Sequence, residues 1–246
     1  MLMADFHIHT RWSDGKLEVG EVIDLFGMSG HDVIAITDHV VNGDTLLGKA
    51  AHRLGYTLRA ETFAEYRDEI EREARRAWDR YRMVVLPGFE LTRNAVTRNA
   101  SAHALAIGVD RFLTADGSVE SMLERANESG AAVVACHPHE MSEWFQNTFY
   151  LWNRRKEVAR LIHRWELACR WDLFPPVARA RLPFVANSDF HDRPHLHAWK
   201  TLLDCPKRPE AVLAALKSGD ELGVTRLAPQ PQFLPALAQG AVALPA

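Results

Sequence analysis

His7 and His9 stand two residues apart, a spacing that turns both imidazoles to one side of an extended chain. Asp14 follows in the turn Ser13-Asp14-Gly15. Further on, His39 ends the run AITDH, Glu90 ends LPGFE, His103 opens HALAIG, and His137 directly precedes Pro138. Asp189 and His191 repeat the two-residue spacing in NSDFH. Each of these residues borders a short apolar run. If the ends of those runs gather at one face, six histidines and three carboxylates meet there. Burying so many ionisable groups without compensation is expensive. A metal cluster is the simplest compensation, and imidazole mixed with carboxylate suits Zn²⁺, Fe²⁺ and Mn²⁺.

Such a site needs elements that bring those ends together. Strands are expected at residues 4–9, 32–37, 83–86, 103–109, 131–136, 165–168 and 184–186, with a further one at 222–225. Pro87-Gly88 is read as closing the third. Helices are expected at 17–29, 43–54, 61–82, 118–129, 144–161, 172–181 and 209–217. The dense Glu and Arg of 61–82 read as a solvated face opposite the stripe Tyr66, Ile70, Ala74, Ala77 and Tyr81. Alternation of strand and helix argues for an α/β fold with a parallel sheet. Seven such units in 246 residues favour a TIM-like (β/α)7 barrel, whose site lies at the C-terminal ends of its strands. One barrel domain is expected over residues 1–226, followed by a tail at 227–246 rich in Pro, Ala, Leu and Gln.

Composition narrows the function classes. Hydrophobic residues make up 47% and charged residues 25%, which excludes a disordered chain. The net charge of −3 argues against a long nucleic-acid footprint. Twelve histidines is a high count for this length. Cys136, Cys169 and Cys205 are odd in number and far apart, so neither a disulfide framework nor a zinc knuckle is indicated. With no apolar run of membrane length and no signal-like start, a cytoplasmic protein without a membrane partner is expected.

In order, the segments DFHIHTRWSDG, AITDH, LPGFE, SAHALAIG, ACHP and NSDFH resemble the motifs of the PHP (polymerase and histidinol phosphatase) family, over about residues 4–226. The combination is specific, although no segment is specific alone. The resemblance implies a distorted seven-stranded barrel, three divalent ions (Mn, Fe or Zn) and phosphoesterase activity through a hydroxide bridging the metals. It implies His7, His9, Glu90 and Asp189 as ligands of a first ion. Glu90 would bridge to a second ion held by His103 and His137, and Asp14, His39 and His191 would hold the third. The catalytic assignment falls on Glu90, Asp189 and His191. Three divalent ions, three carboxylates and one hydroxide leave about +2, matched to a phosphomonoester dianion.

Other residues near the motifs carry expectations of their own. Arg11, Arg93, Arg98 and Arg193 lie close enough in sequence to fork a phosphate. His139, two residues after His137, is a candidate substrate contact or a surface histidine. Asp5 and Asp38 are expected to orient imidazoles or to serve as turn caps. Phe190 stands where the family pattern commonly has a smaller residue, and is expected to narrow the pocket. His195 and His197 are read as loop residues near the rim.

The leading reading is a metal-dependent hydrolase of a small phosphomonoester. A nuclease acting on nucleotides or oligonucleotide ends is the runner-up. Trp144, Phe145, Phe149, Tyr150 and Trp152 beside Arg154, Arg155 and Lys156 would then stack bases, against core packing with a basic face. An amidohydrolase ranks lower because Asp14, His39 and His191 would have no task. A non-catalytic module ranks lower still, because all nine candidate ligands are present.

Overall fold

Val33-Ile-Ala-Ile36 contains no polar side chain and is buried throughout, as a central strand requires. It belongs to a computed structural model that describes residues 1–96, 99–138 and 148–227. The first half of the chain forms β1 (Leu2–Asp5), α1 (Val19–Met28), β2 (Val33–Ile36), β3 (His39–Val41), α2 (Leu46–Leu54), α3 (Phe63–Tyr81), β4 (Val84–Arg93) and β5 (Ala102–Ile107). The second half forms α4 (Val119–Glu128), β6 (Ala132–Ala135), α5 (Phe149–Asn153), β7 (Arg164–Cys169), β8 (Asp172–Leu173), α6 (Pro175–Arg179), β9 (Phe184–Asn187), β10 (Trp199–Leu203), α7 (Pro209–Lys217) and β11 (Gly223–Arg226).

These strands make one curled mixed sheet in the order β11-β10-β1-β2-β4-β5-β6-β7-β8, with β3 on β4 and β9 on β7. The segment after β1 meets the segment after β9 through a parallel bridge, Ile8 to Phe190. There His9 N donates to Phe190 O at 2.8 Å and Phe190 N to His7 O at 2.9 Å. The expectation of an all-parallel sheet needs correction. β5 runs antiparallel to both β4 and β6, and β10 antiparallel to β1. The reversal matters for the site. The start of β5, not its end, lies beside the end of β4, with Thr92 opposite His103.

Pro87-Gly88 does not close a strand. β4 runs through it, with Pro87 paired to Ile36 of parallel β2 and Gly88 opposite Ile107. Glycine is required there because a Cβ would come within 2.8 Å of Thr37 Cγ2 and 2.9 Å of Ala106 O. β10 was not expected from the sequence, and residues 172–173 form an edge strand rather than the start of a helix.

The core has two layers. Ile34, Ile36, Val85, Phe89 and Val133 pack outward under α1, α3 and α4 with Val22, Ile23, Tyr66, Ile70 and Met122. Val33, Ala35, Val84, Leu86, Leu105, Ile107 and Val134 pack on the other face with Val212 and Leu216 of α7. The period-2 alternation along β4 puts Glu90 in phase with Val84 and Leu86. Among the described residues, no helix is long and apolar enough to cross a membrane.

Candidate metal centre

Backbone anchors fix the first ligand segment. Ile8 N donates to Thr37 Oγ1 at 3.0 Å, and Asp5 Oδ1 accepts from His7 N at 3.3 Å and Ser188 N at 3.1 Å. Asp5 also pairs with Lys200 at 2.9 Å, both fully buried. Asp38 accepts from Thr10 N, Thr10 Oγ1 and Ser13 Oγ, each at 2.7 Å. Neither aspartate orients an imidazole; both hold the ligand-bearing backbone, because their short side chains meet main-chain and hydroxyl donors first.

Glu90 is the hub. Its Oε2 lies 3.5 Å from His7 Nε2, 3.4 Å from His9 Nε2 and 2.8 Å from His39 Nδ1. Its Oε1 lies 2.9 Å from His103 Nδ1 and 3.3 Å from His137 Nε2. Asp189 Oδ1 stands 3.5 Å from both His7 Nε2 and His9 Nε2. Asp14 Oδ1 gathers His9 Nδ1 at 3.9 Å, His39 Nε2 at 3.7 Å and His191 Nε2 at 3.3 Å. Four donor sets follow: His9, Asp14, His39 and His191; His7, Glu90 and His137; His7, His9 and Asp189; and, sharing His7, the set His7, Glu166 and Cys169. Within each set the donor atoms lie within 4.8 Å of one another. His103 touches Glu90, but its Nε2 meets Asn94 Oδ1 at 2.9 Å and it joins none of these sets.

The electrostatics suit cations. Burial opposes charge on Glu90, yet His39, His103 and His7 hold its carboxyl far below the usual range. Asp189 is likewise lowered, against burial, by His191 and His7. Burial, then His191 and His39, push His9 down to about 3, so its imidazole is neutral. Burial resists protonation of His39, but Glu90 and Asp14 raise it to about 9. His7 Nε2 and both nitrogens of His9 are buried with no hydrogen-bond partner. Orphan atoms of this kind are costly unless something binds them, and neutral imidazole with carboxylate is the donor set a divalent ion takes. His137 at φ 21° and Asp189 at φ 46° occupy the left-handed region, a strain that collects at functional sites.

Sequence reading missed two residues here. Glu166 lies buried in β7, and its Oε1 accepts from His7 Nδ1 and from Asn187 Nδ2, each at 2.9 Å. Its Oε2 accepts from His137 N at 2.6 Å. The signal was a lone acid inside the apolar run WELAC. As a fourth carboxylate it lowers the charge balance by one unit. Arg170, in the turn after β7, pairs with Asp189 Oδ2 at 3.0 Å.

The arginines singled out in the sequence engage other partners. Arg11 meets Glu18 at 3.4 Å, Arg193 meets Glu21 at 3.6 Å, and Arg93 donates to Gly117 O. His139 and Arg98 lie outside the described residues. Phe190 does not narrow the pocket. Between Asp189 and His191 it alternates to the opposite side and packs in the core, 5.1 Å from the Phe26 ring. His195 supports the site from behind, its Nδ1 accepting from His191 N at 3.0 Å.

No family model and no curated protein matches the sequence. Solved structures do. A two-domain protein from Bacteroides vulgatus containing a predicted PHP-like metal-dependent phosphoesterase superposes with a TM-score of 0.63 at 17% identity, covering 92% of this chain. The fold is PHP-like. This chain spans 65% of that two-domain protein. An amidohydrolase from Chromobacterium violaceum, solved with sulfate bound and no metal, superposes with a TM-score of 0.54 at 16% identity, covering 92% of this chain and 98% of its own. At these identities the likeness is one of fold.

Proposed function

We propose that the chain is a metal-dependent phosphoesterase that hydrolyses a small phosphomonoester at a trinuclear site. The carrying observation is the third donor set, in which Asp14 Oδ1 draws His9, His39 and His191 together beside the sets around Glu90 and Asp189. An amidohydrolase would employ Glu90 and Asp189 and leave that third set without work. The seven strands β1, β2, β4, β5, β6, β7 and β9 are read as a distorted barrel closed at the Ile8–Phe190 bridge, with residues 1–226 as one domain.

Divalent ions held by these residues would polarise phosphoryl oxygens and lower the pKa of water. The chain's own part is to orient and to exclude. Glu166 fixes His7 by its Nδ1, Thr148 Oγ1 meets His137 Nδ1 at 3.1 Å, and Thr92 Oγ1 meets His39 Nδ1 at 2.7 Å. Each contact leaves the opposite nitrogen to face the site. The nuclease reading loses support at α5. Trp152 already packs against Trp165 and Phe174, and its outer face carries Arg155.

The test compares kcat/KM at fixed salt for p-nitrophenyl phosphate, a nucleoside monophosphate and a ~20-nucleotide strand, with Mn²⁺ supplied. The small monoesters are expected to turn over fastest, with activity abolished by chelator. Preferred cleavage of the long strand with a steep salt slope would replace this reading with a nuclease.

A further inference from the structure

Arg170 occupies the two-residue turn between β7 and β8, where Cys169 pairs with Asp172. Its φ is 49°, a left-handed conformation that disfavours a residue with a side chain. That backbone sends the side chain back over the metal centre. Nε donates to Asp189 O at 3.2 Å, and Nη2 lies 3.0 Å from Asp189 Oδ2. Nη2 also lies 3.1 Å from His191 Nδ1.

His191 Nδ1 also lies 3.0 Å from Asp189 O. Arg170 Nη1 has no partner among the described residues, and the side chain is 30% exposed while Asp189 is 5% exposed. A guanidinium edge therefore stands open beside the ligand cluster, anchored by its other edge.

We propose that Arg170 is a specificity-determining residue that binds the extra anionic oxygen of a terminal phosphoryl group, selecting phosphomonoesters over diesters. This rests on the phosphoesterase reading. A monoester dianion has three non-bridging oxygens and a diester two, so an added fork of donors rewards the monoester. Arg11, Arg93 and Arg193 find their partners away from the donor sets, in Glu18, Gly117 O and Glu21.

The test uses R170M and R170K at saturating Mn²⁺, with metal occupancy checked by elemental analysis. Inorganic phosphate binding is measured by calorimetry, and kcat/KM on p-nitrophenyl phosphate and bis-p-nitrophenyl phosphate. R170M is expected to bind phosphate about 10–100-fold more weakly at unchanged occupancy, R170K less so. The monoester-to-diester ratio of kcat/KM should fall by a similar factor. Phosphate affinity within about twofold of the wild type, or monoester and diester rates falling in parallel, overturns the assignment. Wild-type protein that binds phosphate but hydrolyses no ester, with R170M binding it weakly, sinks the phosphoesterase reading and leaves Arg170 as the anion contact.

Discussion

His7 Nδ1 and Glu166 Oε1 lie 2.9 Å apart, both fully buried, on the side of His7 turned away from Glu90 and Asp189. The contact sets the tautomer: the proton on Nδ1 leaves the Nε2 lone pair facing the donor sets. Glu166 is also surrounded by donors, since His137 N and Asn187 Nδ2 point at it. Glu166→Gln would turn an amide N–H₂ toward one of those donors. Metal affinity is expected to fall about 10–100-fold while the protein stays folded. Titration of apo protein with Mn²⁺, followed by calorimetry, checks this, and an unchanged affinity would remove Glu166 from the metal centre.

Glu90 and His191 separate the donor sets. Glu90 touches five histidines across the site, whereas His191 closes on Asp14 and Asp189. Wild-type protein is expected to hold two to three ions per chain. Glu90→Ala should lose at least two of them and His191→Ala about one. Elemental analysis after metal loading decides it. Under one equivalent in wild type contradicts the trinuclear reading, and equal loss from both variants contradicts the division of roles.

Most of the site was legible because its residues occupy fixed phases relative to apolar runs. His7, His9, Asp14, His39, Glu90, His137, Asp189 and His191 all arrive at one place. What stayed hidden was long-range pairing. Nothing local in HALAIG says that β5 runs backwards, and β10 looks like a loop because its pairing partner, β1, is some 200 residues earlier. Glu166 and Arg170 were passed over for the same reason, since their partners lie after β1 and after β9. The barrel was over-idealised where β4 continues through Pro87, which has no N–H to donate yet stays in register with Ile36 of β2.

Phe190 follows from alternation. Because its ring packs in the core against Phe26, Phe190→Ala opens a cavity at no benefit to the site. The expected cost is about 3–5 kcal/mol of stability. Selectivity between small and bulky phosphomonoesters should stay within about twofold, a change worth less than 0.5 kcal/mol. Urea unfolding and kcat/KM ratios on two esters test the pair of claims. A shifted ratio at undiminished stability would return the ring to the pocket wall.

His31 makes the fold sensitive to acid. It lies buried against the Phe26 ring, with Nδ1 2.9 Å from Ser29 Oγ and Nε2 without a partner. Burial, and then the Lys200 cation, lower its pKa from 6.5 to about 4. The unfolded chain therefore takes up a proton near pH 6.5 while the folded protein refuses it until about pH 4. This group's contribution is fully present above pH 6.5 and is lost as pH falls toward 4, because there the unfolded state binds more protons. Over that window the loss is about 3 kcal/mol. His31→Gln removes the titration and keeps a polar side chain. Urea unfolding in chelator, at pH 7 and pH 4.5, isolates the effect from metal binding. The wild type should lose about 2–3 kcal/mol more than the variant between the two conditions. Equal losses would mean that the folded protein accepts a proton on His31 without strain, and that its burial does not govern the acid limb.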